Sequence, residues 1–279
     1  MFYHHLRNEL WKLFGKKRTY IGFGAFLLAQ NILLIFFQLG PAKKYMERLL
    51  AGNGYLAQEY TSALTVALIM LLPQVLMFMP LYAALVGGDL VAKEAEDGTL
   101  RLILARPISR FQLLLAKWCS GAVFSVLLVT VLGITALLFA RLWFPWRSMF
   151  VSIPGMMDFS VLPADEGFRR YVFSHLLTAL NASVILGIAF MFSCFNMKPA
   201  AATILALSFL FLNIVMENIQ AFTPYREWFL TYHLSAWRLV FAKPIPWWRI
   251  TESLYVLVAY SLTAFFVGAA AFHARDIKS

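Results

Sequence analysis

Of 279 residues, 61% are hydrophobic and only 14% charged, with a mean hydropathy of +0.71. A soluble domain carries about 25% charged residues, so this chain has too little polar surface to cover a water-soluble globule, and membrane insertion resolves the deficit. The net charge of +10 reads as anchoring charge on the inner side of a membrane, and no nucleic-acid partner is expected.

The first 14 residues place Leu6, Leu10, Leu13 and Phe14 at helical spacing, with Arg7, Glu9 and Lys12 elsewhere on the wheel. That predicts a short amphipathic helix lying on the inner leaflet. Charge runs through the first 19 residues, so no cleavable signal peptide is expected. A spanning helix needs about 20 mostly apolar residues. Six runs qualify: Tyr20–Leu39, Ser62–Gly87, Phe111–Ala140, Phe173–Phe195, Ala200–Met216 and Ser253–Phe272. The chain is therefore expected to be an all-α membrane protein with one six-helix domain over residues 1–279.

Orientation follows from Lys and Arg. With both termini inside, the inner segments hold 12 Lys/Arg in 54 positions and the outer ones 11 in 90. The cluster Lys16-Lys17-Arg18 directly precedes the first span, so the termini are expected to face the cytoplasm of an inner, or cytoplasmic, membrane.

Polar residues inside spans are costly and therefore informative. Asn31 and Gln38 lie in the first span. Asn213, Glu217 and Gln220 follow at i, i+4 and i+7 across the outer end of the fifth, and His175, Thr178 and Asn181 share a face of the fourth. They can bond helix to helix, or they can line a path; both readings stand. The outer stretches 141–150 and 226–249 are rich in aromatic residues. Trp143, Trp146, Trp228, Trp237, Trp247 and Trp248 suit the headgroup level, and 226–241 reads as a short interfacial or re-entrant helix.

Enzyme and metal signatures are missing. Cys119 and Cys194 fall in apolar runs and suit neither a disulfide framework nor a metal cage. His4-His5 are adjacent, so their side chains diverge on a helix. The sequence has no H-E-x-x-H, no G-x-S-x-G and no G-x-x-x-x-G-K-[ST]; Gly15-Lys16 has Leu10 where that phosphate cradle needs glycine. No cofactor is expected on this chain.

The charge that the spans avoid is crowded into "LVGGDLVAKEAEDGTLRLILARPISRFQLLLAK", residues 85–117. Asp97-Gly98 is a turn signal, Thr99 can cap a new helix, and Leu100, Ile103 and Leu104 form one apolar face. Pro107 ends that helix, and Ser109-x-x-Gln112 forms a capping box for the next span. The pattern predicts a helix, a short apolar-faced helix pointed into the cytosol, and a third helix.

This loop resembles the signature loop of ABC-2-type transporter permeases, E-x-G-T-L-x-x-L-L-x-x-P-[IVL]-S-R. Glu94, Glu96, Gly98, Thr99, Leu100, Ile103, Leu104, Pro107, Ser109 and Arg110 occupy the pattern or flank it; Asp97 and Ala105 depart from it. The resemblance extends through "FNMKPAAA" and the closing "AAAFHARDIKS". It implies that the loop is a coupling helix docking on a separate ATPase subunit, which binds ATP and Mg, beside a second or sister permease copy. It also places spans one and five near the subunit interface, making Asn31, Gln38, Asn213 and Glu217 the candidates for a translocation path. The alternatives are a related complex that transmits force or assembles the envelope, and a membrane scaffold with no ATPase.

Overall fold

The computed structural model describes residues 2–105, 108–153 and 159–275. It opens with α1 (Phe2–Phe14), α2 (Lys17–Leu39), α3 (Pro41–Gly52) and α4 (Ala57–Tyr60). There follow α5 (Ala63–Pro73), a π-helical turn (Gln74–Phe78), α6 (Met79–Glu96), α7 (Thr99–Leu104) and α8 (Arg110–Trp143). A two-stranded antiparallel sheet, β1 (Met149–Val151) and β2 (Ser160–Leu162), leads to α9 (Ala164–Ser193) and α10 (Pro199–Asn218). Three short pieces, Gln220–Trp228, α11 (Leu230–Leu234) and Ala236–Phe241, precede α12 (Trp247–Ala274). Among the described residues six helices are long and apolar enough to cross a membrane, counting α5 through α6 as one. Six crossings bring α1, α7 and the end of α12 to one end of the bundle, here the terminal end.

The second and third spans are longer than a hydrocarbon layer is thick. At about 1.5 Å per residue, the 34 residues of α8 extend about 50 Å, well beyond a hydrocarbon layer of about 30 Å. The second span runs from Ala63 to Glu96, beyond its apolar run and on to the turn that Asp97-Gly98 marks in the sequence, with a π-helical break in the middle. Pro73 and Pro80 each lack the N–H that a helix needs. The chain widens into a π turn between them, where the Met79 N–H reaches Gln74 O. Gln74 Nε2 donates to Met70 O at 3.0 Å and gives that carbonyl a side-chain partner within the turn.

The central helix is α9, packed against α6, α8, α10 and α12. Small residues set its distance from α6: a Cβ on Gly87 would sit 2.3 Å from the Leu186 carbonyl oxygen. The polar residues of α9 serve the fold. Thr178 bonds Ser174 O at 2.8 Å, the His175 ring bonds Tyr171 O at 2.6 Å, and Asn181 donates to Leu234 O at 2.7 Å.

At the far end, 226–241 is not the single helix expected. Breaks at Phe229 and Ser235 divide the stretch into 3-10 and α pieces. Arg170 fastens it to α9 by donating to Val240 O and Ala242 O at 2.8 and 2.7 Å. Trp237 is buried at 4% exposure, contrary to its expected headgroup position, because its segment packs against α9; Trp228 is exposed. Phe150 N donates to Thr65 Oγ1 at 2.9 Å, seating β1 on the first turn of α5.

Candidate functional site

At the terminal end, α6 stops at Asp97 and Gly98 turns the chain with φ +72°, a left-handed conformation that suits glycine. Gly98, not Thr99, occupies the cap position of α7. Thr99 Oγ1 instead donates back to Glu94 O at 3.3 Å. The apolar face of α7 is also turned the other way from the expectation. Leu100 is 3% exposed, and half-buried Ile103 and Leu104 pack on the same core, because the tight turn at Gly98 folds the helix back on its own chain. Arg101 and Leu102, the latter 72% exposed, are what α7 presents outward. Pro107 lies outside the described residues.

Beyond it, Ser109 Oγ accepts from Gln112 N at 3.2 Å and starts α8. Arg110 reaches across to the end of α12, donating to His273 O and Arg275 O at 3.3 Å each, the helix end that favours a cation. Glu96 pairs with Lys93 at 2.8 Å on the surface.

Beneath α7 lies a group that the sequence reading did not assemble. Lys117 of α8, 1% exposed, holds Nζ 2.8 Å from Glu9 of α1 and 2.8 Å from Glu94 of α6. Lys12 closes a ring, 2.7 Å from Glu9 and 2.9 Å from Glu94. The two cations and two carboxylates sum to zero, which is the condition for burying them together. The Lys117–Glu94 contact is an ion pair without a directed hydrogen bond at Glu94 Oε2. The signals were present: a lysine inside an apolar span needs a partner, and Glu9 sits beside the apolar stripe of α1. An open cleft of about 930 Å³ adjoins the ring, with Lys16, Arg18, Lys93 and Asp97 on its walls.

Burial pushes the Glu9 carboxyl up, but Lys117 and then Lys12 outweigh it and hold the group below its ordinary 4.5. A lowered carboxylate contributes stability above its unfolded pKa and loses it as pH falls through the lower, folded value. Acidification below about 4.5 is therefore expected to release α1, read as new proteolytic cleavage near Lys12 in detergent. A Glu9→Gln protein should not show that acid window.

At the far end, a cavity of about 680 Å³ opens between the π turn, α10 and the folded-back segment. Of the four path candidates, Glu217 alone lines it, paired with Arg226 at 3.3 Å. Asn213 instead accepts from Leu230 N at 3.2 Å and donates to Phe209 O at 2.8 Å, tying α10 to α11. On α2, exposed Asn31 bonds its own helix at Leu27 O, and Gln38 Oε1 is buried without a partner among the described residues. Gln30, not singled out from sequence, is the buried link from α2 to α8: it donates to Leu132 O at 2.9 Å and accepts from Thr135 at 2.8 Å.

The family described as ABC-2 family transporter protein matches residues 11–277. The chain belongs to that family. Like other ABC-2 permeases it is a multi-pass membrane protein and a transport subunit. It is also similar to the uncharacterized protein YhcI of Bacillus subtilis (strain 168), at 34% identity over 64 residues, which is 23% of this chain and 20% of that protein. The match thus spans about a fifth of that relative's length.

Proposed function

We propose that this chain is the permease half of an ATP-driven exporter-like complex in the cytoplasmic membrane, working with a separate ABC ATPase subunit and a second or sister permease. The terminal end faces the cytoplasm, in keeping with its Lys/Arg density. The observation that carries the reading is α7, a short helix seated by Leu100 and offering Leu102 and Arg101 outward. An exposed leucine beside a guanidinium at the tip of a rigid span suits a shallow protein pocket. Coupling then belongs to different side chains than the pattern suggests. Leu100, Ile103 and Leu104 hold α7 in place, Gly98 sets its turn, and Ser109 and Arg110 fix the start of α8.

ATP and Mg bind on the partner, consistent with a sequence that has no phosphate-binding glycine loop. Closure of the ATPases pushes α7, and α6 transmits the push into the bundle because the two are joined by a single tight turn at Gly98.

Leu102→Asp is expected to abolish co-purification of the partner ABC ATPase, while membrane insertion and melting temperature stay unchanged. Losing the burial of one leucine removes about 1.5–3 kcal/mol from the contact, and a desolvated carboxylate adds to the loss. Undiminished co-purification and ATP hydrolysis would show that α7 docks nothing.

Orientation has its own test. In a background lacking Cys119 and Cys194, Thr99→Cys should escape an impermeant thiol reagent in intact cells, and Asp165→Cys should react. Both positions are exposed on this chain, and labelling Thr99→Cys in permeabilised cells stripped of peripheral proteins separates the side of the membrane from cover by a docked ATPase. The reverse labelling would invert the topology.

A further inference from the structure

The cleft at the terminal end is positive where α2 begins. Around its inner end Lys12, Lys16, Arg18 and Lys117 stand against Glu9, Glu94 and Asp89, four cations to three carboxylates. Lys12 and Lys117 are taken up by Glu9 and Glu94, and Arg18 by Asp89. Lys16 is the cation left over: half-buried, it makes no salt bridge or side-chain hydrogen bond among the described residues. Lys17, exposed on the same wall, makes none either. Both lie where α2 enters the membrane, at the level of the headgroups. We propose that this cleft binds one anionic phospholipid, its phosphodiester head against Lys16 and Lys17 and its acyl chains in the leaflet beside α1 and α2.

The charges around Lys16 set the class of head. Burial lowers its basicity, and Arg18 and Lys117 push the same way; Asp89 and Glu94 oppose them without restoring the ordinary 10.5. One further anion beside it would remove that deficit, and a phosphodiester carries a single negative charge. Position selects a lipid over a soluble anion. Asp97, eight residues beyond Asp89 along α6, lies about 12 Å further from the spans at 1.5 Å per residue. There Lys93 is matched by two acids, Glu96 and Asp97, so the lip that faces solution is negative. A soluble anion would have to pass that lip, whereas a lipid head enters from the membrane edge, where the lysines are. Trp11 of α1 and Tyr20 and Ile21 of α2 are exposed there and offer apolar surface to the chains. The Lys117 ring adjoins the cleft, and Thr99 and Leu102 of α7 share its wall, so a bound lipid braces α1 beside the helix that leads into α7. Binding depends on neither the orientation nor the ATPase.

The test uses the purified full chain, delipidated in a neutral maltoside detergent, with native mass spectrometry as readout. Palmitoyl-oleoyl phosphatidylglycerol is expected to be retained about tenfold more strongly than palmitoyl-oleoyl phosphatidylcholine, which has the same phosphodiester but no net charge. Lys16→Gln combined with Lys17→Gln should erase that preference, and Lys16→Arg combined with Lys17→Arg should keep it. The same charge removed at the far end, by Lys43→Gln with Lys44→Gln on α3, should leave it intact. Millimolar glycerophosphoglycerol, the free head, should not displace the lipid. Equal retention of the two lipids, a preference that survives the Lys16 and Lys17 glutamine pair, or one lost with the arginine pair or the α3 pair would overturn the proposal. Displacement by the free head would overturn the lipid assignment in favour of a soluble anion. Because no ATPase is present, failure here leaves the permease reading standing, and failure of ATPase co-purification leaves this one standing.

Discussion

Replacing Lys117 by Met is expected to lower stability by about 3–5 kcal/mol, the range for removing one partner of a buried ion pair. Lys117 is 1% exposed and touches two carboxylates, Glu9 and Glu94. Without it, both acids face each other with Lys12 as the remaining cation of the ring. One acid must then take up a proton or the helices must part to admit water. The effect should appear as a melting temperature lowered by on the order of 10 °C in detergent, at about 2–4 °C per kcal/mol for a chain of this size. The ring joins α1, α6 and α8, so the loss should also free α1. The second arm of the test is Lys117→Met combined with Glu9→Gln, which removes one of the two stranded charges. It should be more stable than Lys117→Met alone, the coupling expected of neighbours that share partners. A Lys117→Met protein melting like the wild type would mean that the ring contributes nothing.

The ring also marks the limit of what could be read without coordinates. Apolar run length is a local property, and it located all six spans, because lipid leaves a 20-residue hydrophobic stretch few other homes. The turn at Gly98 and the cap at Ser109 were legible for the same reason: a left-handed φ and a serine oxygen three residues before an orphan N–H are short-range requirements. Periodicity showed that Leu100, Ile103 and Leu104 share a face of α7. It carried no information on what that face meets, and a turn one residue in length sent it inward. The π turn escaped because Pro73, Gln74 and Pro80 lie within a run that stays strongly apolar overall, and hydropathy does not register a missing N–H. Lys117 and Glu9 are 108 residues apart, and only the packing of α1 on α8 joins them. Glu217 reached a cavity while Asn213, four residues earlier on the same helix, became a tie to Leu230. One turn of helix separates a lining residue from a structural one.

Gly87→Val should be strongly disruptive at the seam between α6 and α9. The added Cβ would lie 2.3 Å from the Leu186 carbonyl oxygen and 2.9 Å from the Ala189 Cβ, and neither can rotate away. The α6 and α9 backbones would have to separate along a seam where small residues provide the close approach. Overpacking of this kind costs about 1–3 kcal/mol when side chains can yield, and the obstacle here is backbone, so the loss should reach at least about 3 kcal/mol. Neighbouring Gly88 separates sterics from helix propensity. Its Cβ would meet Thr203 Oγ1 at 2.4 Å, the end of a side chain that can turn by giving up its bonds to Ala84 O and Pro199 O. Gly88→Ala should therefore destabilise less than Gly87→Ala, although both changes add the same methyl group. Gly24→Ala in α2 has nothing within 4 Å of the new Cβ and should be neutral or stabilising by up to about 1 kcal/mol, the ordinary gain of alanine over glycine in a helix. The three alanine variants and Gly87→Val, compared by thermal unfolding in one detergent, should rank with Gly24→Ala the most stable, then Gly88→Ala, Gly87→Ala and Gly87→Val. A Gly87→Val protein as stable as the wild type would mean that α6 and α9 do not meet at this distance, and the lever from α7 into the bundle would have to run elsewhere.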